Sequence, residues 1–205
     1  GSAQGQFHRT VRGNHNVVKQ DRNVGSFSGV RVSTAIDVYL TQGDKTSVVV
    51  ETDENIQEYL VTEVKNDVLN IYFDASVLSV EVKKVYVTTK EINSLSTTSA
   101  GDIFGQNPIK TNNLKLNSSS AGDIKVEVYA GFVDANLSSS GDITLTGEAD
   151  SMDASLSSAG DFNAYNFKVK QADVSASSAG NADIWVTEKL VARASSAGDI
   201  NYKGD

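Results

Sequence analysis

Six near-copies of one short corner, Ser-Ala-Gly-Asp-Ile, recur along the chain, and no other feature restricts its fold as strongly. They stand at Ser99–Ile103, Ser120–Ile124, Ser139–Ile143, Ser158–Phe162, Ser178–Ile184 with two residues inserted, and Ser196–Ile200. Their glycines, Gly101, Gly122, Gly141, Gly160, Gly180 and Gly198, lie 21, 19, 19, 20 and 18 residues apart. Ahead of each glycine the chain alternates: Val133, Ala135 and Leu137 are apolar while Asp134 and Asn136 between them are polar, and Met152, Ala154 and Leu156 enclose Asp153 and Ser155 in the same way. Alternation of period two marks a strand with one buried face. Each repeat is therefore strand, corner, strand.

A period near 19 leaves no room for a helix in each repeat, which excludes ankyrin and leucine-rich arrays and selects a β-solenoid. Roughly 60 Å of extended backbone per repeat closes one turn around a narrow, side-chain-filled interior. Turns stacked about 4.8 Å apart set like residues into ladders, so one corner recurs once per turn. The sequence predicts an all-β fold: a parallel β-helix over residues 93–205, right-handed by the preference of parallel crossovers. At each corner the glycine is expected to supply a positive φ. The aspartates Asp102, Asp123, Asp142, Asp161, Asp183 and Asp199 are expected to cap nearby amides as Asx-type turns. The serines two residues before each glycine, Ser99, Ser120, Ser139, Ser158, Ser178 and Ser196, are expected to point inward and bond corner backbone groups.

The N-terminal half carries hairpin signals instead. Val30–Leu40 and Thr46–Glu51 read as strands joined at Gln42-Gly43-Asp44, and Leu60–Val64 and Val68–Phe73 pair around Asn66-Asp67. A short helical turn begins at Asp53, and Val82–Thr88 leads into the first repeat. Residues 1–22 are polar, hold both histidines (His8 and His15) and read as a loosely attached arm. Three segments follow: an arm over 1–22, a β-rich part over 23–92 and the solenoid over 93–205, with 23–205 one continuous unit.

Composition narrows the chemistry. A net charge of -8 and no basic cluster argue against nucleic acid as a partner. The absence of cysteine excludes disulfides and thiolate metal sites. No apolar run reaches the length of a membrane-spanning helix. The start at Gly1, without Met, fits a mature exported chain whose signal peptide has been removed.

Three blocks carry a family resemblance: FSGVRVSTAIDVYLTQGD, VVVETDENIQEYLVTEVKNDVLNIYF and VYVTTKEINSLSTTSAGDI, followed by the later serine-glycine-aspartate corners. Over about residues 24–203 the chain resembles the head GIN domain family of putative auto-transporter adhesins, a domain of unknown function common in Bacteroidetes. The resemblance implies an exported β-helical protein of the periplasm, outer membrane or cell surface. It brings no catalytic residues and no cofactor.

The residues themselves point to no enzyme. No serine sits in a G-x-S-x-G elbow and no histidine follows residue 15 to activate one. The aspartate column could hold cations, since Ca²⁺ prefers several carboxylate oxygens. Charges about 5 Å apart in water repel by only about 1 kcal/mol, and a capping hydrogen bond returns a similar amount, so the column stands without metal. Tyr129, Phe132, Tyr165, Phe167 and Trp185 are aromatic groups on which a sugar could stack. The expected role is a non-enzymatic binding module for a protein or glycan of the cell surface. Its contact strip is Asp134, Asp153 and Asp173 with Asn136, Ser155 and Ser175, and Trp185 and Tyr165 form a second choice. The alternatives are a structural envelope element, or a carbohydrate-active enzyme, which would need an acid and a base facing each other across one groove. A homo-oligomer fits any of the three.

Overall fold

The structure, a computed structural model, describes residues 9–138 and 140–205. The N-terminal elements are β1 (Thr10–Arg12), β2 (Val17–Arg22), β3 (Gly29–Val32), β4 (Asp37–Gln42), β5 (Ser47–Asp53), a 3₁₀ helix (Glu54–Tyr59), β6 (Leu60–Lys65), β7 (Val68–Phe73), β8 (Ser76–Leu78) and β9 (Lys83–Thr89). The repeats follow as β10 (Ser94–Thr97), β11 (Asp102–Gly105), β12 (Ile109–Ser118), β13 (Ile124–Leu137), β14 (Asp142–Leu156), β15 (Asp161–Ala176), β16 (Asn181–Ala194) and β17 (Asp199–Lys203).

All pairings from β10 to β17 are parallel, as the repeat demands. Each turn of this β-solenoid has two flat sides. One runs through β9, β4, β11 and the first halves of β13 to β16, ending on β17. The other runs through β7, β3, β10, β12 and the second halves of β13 to β16. Two inward ladders fill the space between them: Val85, Val38, Ile103, Ile124, Ile143, Phe162 and Ala182 on the first side, and Leu69, Val30, Leu95, Leu116, Ala135, Ala154 and Val174 on the second. Continuous apolar burial of this kind is the main favourable term in folding.

Several local expectations are corrected. Val30–Leu40 is two strands, β3 and β4, broken by a corner in which Thr34 and Ala35 have φ of 60° and 57°. Ser33-Thr34-Ala35-Ile36-Asp37 is thus a further copy of the repeated corner, hidden because Ile36 replaces glycine. The β4–β5 hairpin does not form; β9 lies between them, parallel to β4 and antiparallel to β5. The β6–β7 hairpin is present, with Asn66 and Asp67 at φ 52° and 66°.

The described part of residues 1–22 is not a loose arm. β1 pairs with β8, and β2 closes the first side by antiparallel pairing to β5. The fully buried carboxylate of Asp53 holds this segment, accepting from the backbone N–H of His15 (3.0 Å), Glu81 (3.0 Å) and Val82 (3.3 Å). It makes no cap bond to its own helix. A strand at the end of a stack shows much of its surface to water, so its polar residues disguise it as a tail. His8 lies outside the described residues.

At three of the repeated corners the positive φ falls on the two residues before glycine: 49° and 64° at Ser99 and Ala100, 55° and 64° at Ser178 and Ala179, 49° and 65° at Ser196 and Ala197. Closing bonds run from Gly101 N–H to Thr98 (3.0 Å), Gly180 N–H to Ser177 (3.0 Å) and Gly198 N–H to Ser195 (2.8 Å). This is the pattern of a type I′ turn. Glycine is needed for room instead: a Cβ on Gly141 would lie 2.2 Å from the carbonyl oxygen of Gly122 in the turn beneath. Of the expected serines, Ser99, Ser120, Ser178 and Ser196 are exposed, whereas the Ser158 hydroxyl is buried but has no hydrogen-bond partner among the described residues. The inward hydroxyl that does bond a corner group is that of Ser118, which donates to the Gly122 carbonyl at 2.6 Å. Ser139 lies outside the described residues.

Candidate functional site

Each repeat bends a second time, within the long strands, where one flat side passes into the other. At this bend Val128 is buried and the next residue, Tyr129, stands out at 40% exposure. In the following turn Gly147, at φ +113°, lets β14 bend over the Val128 carbonyl, and a Cβ there would lie 2.0 Å from that oxygen. The bends stack into an open trough. A cavity of about 720 Å³ is lined by Gln42, Lys90, Lys110 and Asn113, among others, and a second of about 630 Å³ by Glu148, Asp150, Lys168, Lys170 and Glu188. Both include Thr111, Asn112 and Tyr129, so they form one groove with the phenol at its middle.

The groove is rigid at one end. Gln42 donates to the carbonyls of Lys90 (3.1 Å) and Lys110 (2.9 Å), and its side-chain oxygen accepts from the Lys110 N–H at 2.8 Å. Tyr129 donates its hydroxyl to Glu127 at 2.8 Å, and this bond pushes the phenol pKa up, keeping it a neutral donor. Amides, hydroxyls, both signs of charge and an exposed ring can bind a polyhydroxylated chain.

Beside the groove lies an irregularity. Register is lost between Thr144/Thr146 and Asn163/Asn166, and again where Ala164 opposite Ile184 is followed by Lys168 opposite Trp185. The surplus residues of β15 form a bulge, which re-aims side chains. Tyr165 is thrown outward to 43% exposure, whereas Phe167 is fully buried. Trp185 sits between Lys168 and Lys203, whose ammonium groups lie 5.4 and 4.5 Å from its ring centre; Lys203 is also 4.0 Å from that of Tyr165.

The expected contact strip does assemble as a geometric unit. Asp134, Asp153 and Asp173 are direct neighbours across three turns, as are Asn136, Ser155 and Ser175. It is more acidic than flat: burial, then flanking Asp173 and Asp134, pushes the Asp153 carboxyl above its usual range. Arg193 pairs with Asp173 at 2.8 Å. Tyr165 and Trp185 stand on the opposite flat side, so the two sets of expected binding residues do not meet.

The corner aspartates also differ from expectation. The residue after glycine in the fifth repeat corner is Asn181, which takes the place opposite Asp161 and Asp199; Asp183 is displaced to lie opposite Asn163 and Asn201. Asp37 joins the column opposite Asp102. The carboxylates reach between turns: Asp102 accepts from the Asp123 N–H (2.9 Å), Asp123 from Asp142 (3.1 Å) and Asp142 from Asp161 (3.3 Å). They are rungs joining successive turns instead of Asx caps within one. Among the described residues no group of three or more His, Cys, Asp or Glu is placed to hold a metal ion. Among the described residues no helix is long and apolar enough to cross a membrane.

The groove is not legible in the sequence because its residues share no spacing; only Tyr129 stands out there, as one of the aromatic groups on which a sugar could stack. A family model described as putative auto-transporter adhesin, head GIN domain, matches residues 26–205. A putative adhesin from Bacteroides fragilis superposes with a TM-score of 0.86 at 19% identity, covering 94% of this chain and 100% of that one. A putative adhesin from Parabacteroides distasonis gives 0.80 at 24% identity, covering 96% and 93%. A further structure from that organism, titled a putative lipid binding protein, gives 0.73 at 20% identity, covering 95% and 100%. No curated protein matches in sequence.

Proposed function

The chain belongs to the head GIN domain family of putative auto-transporter adhesins, and from that premise we propose that it is a non-enzymatic binding module exported to the periplasm, outer membrane or cell surface. The observation that carries this reading is the groove along the second bend. It is open, crosses several turns and is lined by amides, hydroxyls and side chains of both charges around an exposed ring. An extended glycan fits such a trough: sugar faces stack on the phenol, and hydroxyls exchange hydrogen bonds with Asn112, Asn113 and Thr111. The strip of Asp134, Asp153 and Asp173 is proposed as a second contact, for a protein partner bearing positive charge.

An array of immobilised oligosaccharides tests the reading, followed by titration of the best binder. Tyr129→Ala is expected to weaken that binder about tenfold, the loss of roughly 1–1.5 kcal/mol of stacking. Binding unchanged by Tyr129→Ala but abolished by Asp134→Lys with Asp153→Lys would move the site to the acidic strip. Turnover of any arrayed sugar would overturn the non-enzymatic assignment.

A further inference from the structure

Lys168 lines the groove and also faces Trp185, so the aromatic cluster at the bulge continues the groove onto the adjoining flat side. Neither Lys168 nor Lys203 has a carboxylate within ion-pairing distance among the described residues, although Lys170, two residues from Lys168, pairs with Asp150 at 3.7 Å. Both ammonium groups are held against an indole instead. The indole N–H of Trp185 is enclosed and has no acceptor among the described residues. A buried donor left unmet is costly, and a charged acceptor brought to it is favoured. Tyr165 adds an exposed ring beside these three donors. Two unpaired cations, an unmatched N–H and an exposed ring thus converge beside the bulge of β15, where register is lost to both neighbouring strands.

We infer that the Tyr165, Lys168, Trp185 and Lys203 cluster recognises an anionic sugar bearing one carboxylate. This rests on the groove being a glycan site: the neutral part of the chain lies along Tyr129, and the acidic sugar docks at the bulge. The ring stacks on Tyr165, and Lys203, on its flexible stem, swings off the indole to meet the carboxylate together with Lys168. A single charge is specified because the whole chain carries a net charge of -8. Glu148 lies next to Lys168 in the ladder and Asp205 two residues beyond Lys203. A polyanion would be repelled by that field, whereas one carboxylate engages the two lysines locally.

Trp185 is the only tryptophan of the chain, so its fluorescence reports this cluster alone. The experiment titrates the intact protein with sialyllactose, lactose and sulfated lactose, following Trp185 emission and affinity. Sialyllactose is expected to shift the emission and to bind about tenfold more tightly than lactose, with the advantage shrinking as salt is raised. Lys168→Met with Lys203→Met keeps the apolar stems and should erase that advantage without lowering the melting temperature. Equal affinities for sialyllactose and lactose in the unaltered protein would overturn the inference yet leave the groove intact. Preference for sulfated lactose would overturn the carboxylate assignment. If Tyr129→Ala leaves both affinities untouched, the groove reading fails on its own, independently of the lysine variants.

Discussion

Replacing Gly141 by alanine tests whether the repeated glycine answers to close approach or to φ. The new Cβ would lie 2.2 Å from the Gly122 carbonyl oxygen, 2.4 Å from the Ser118 hydroxyl and 3.0 Å from the Ser120 carbonyl. The first and third are backbone atoms of the turn beneath, fixed by ladder bonding, and the second already donates to the Gly122 carbonyl at 2.6 Å. The methyl must therefore separate two turns or break that buried bond. Overpacking costs roughly 1–3 kcal/mol and the lost bond about 1 more. A total of about 2–4 kcal/mol lowers the melting temperature by roughly 5–15 °C in a chain of this size. Gly25→Ala is the control, since Gly25 has φ +79° but nothing within 4 Å of the added carbon. It isolates backbone strain, about 1 kcal/mol. Thermal melts by circular dichroism compare the two. Equal shifts, or a larger one at Gly25, would refute the steric account.

Three more outcomes follow from the same contacts. Ala100→Gly, at φ 64°, removes left-handed strain but adds freedom to the unfolded chain, so its melting temperature should stay within a few degrees of the unaltered protein. The Asp102 carboxyl is pushed above 3.8 by burial and by Asp37, against the Asp123 N–H bond that lowers it. Its protonated form is thus favoured by folding, a contribution present below the ordinary range and lost as pH rises through the raised value. Asp102→Asn keeps an oxygen for the Asp123 N–H and should match or exceed the parent's melting temperature at neutral pH, with a flatter dependence as pH falls. Asp53→Ala strips three N–H groups of their acceptor and should cost about 3 kcal/mol, read as faster hydrogen exchange at His15, Glu81 and Val82.

What was legible in the sequence is what repetition enforces. Parallel stacking makes each residue the neighbour of its counterpart about 19 positions on, so buried ladders such as Ile103, Ile124 and Ile143 announce themselves. Where a neighbour is set by the path of the chain instead, the signal vanishes. Nothing in Val48 or Tyr86 declares that β9 must separate β4 from β5. The corner at Ile36 shows why a motif can hide: glycine is needed only where another corner presses from below. Under Ile36 the link between β7 and β9 detours through β8, leaving room for a side chain. The misplacement of Asp183 has the same origin, since the residue directly after the crowded glycine must continue the ladder. Asn181 does so, and its amide oxygen offers the same kind of acceptor as a carboxylate.

The proposed recognition would use residues that folding does not, and the small share of positions that folding restricts fits TM-scores of 0.86 and 0.80 at only 19% and 24% identity. The inward ladders and the crowded corners restrict a minority of positions, those where volume or room is decided by the turn beneath. Outward positions at the second bend carry little of that burden. Tyr129 is half out of the protein and Tyr165 is thrown clear by a bulge, so neither contributes much buried area to folding. Side chains there can change with small effect on stability, as surface substitutions generally do. Binding specificity in this architecture should therefore be written at the bends. Exchanging Thr111, Asn112, Tyr129 and Tyr165 for the residues that superpose on them in another member should transfer that member's glycan preference at a nearly constant melting temperature. A preference that instead follows an exchange of the Asp134, Asp153 and Asp173 strip would place recognition on the flat side and leave the groove a by-product of the bend.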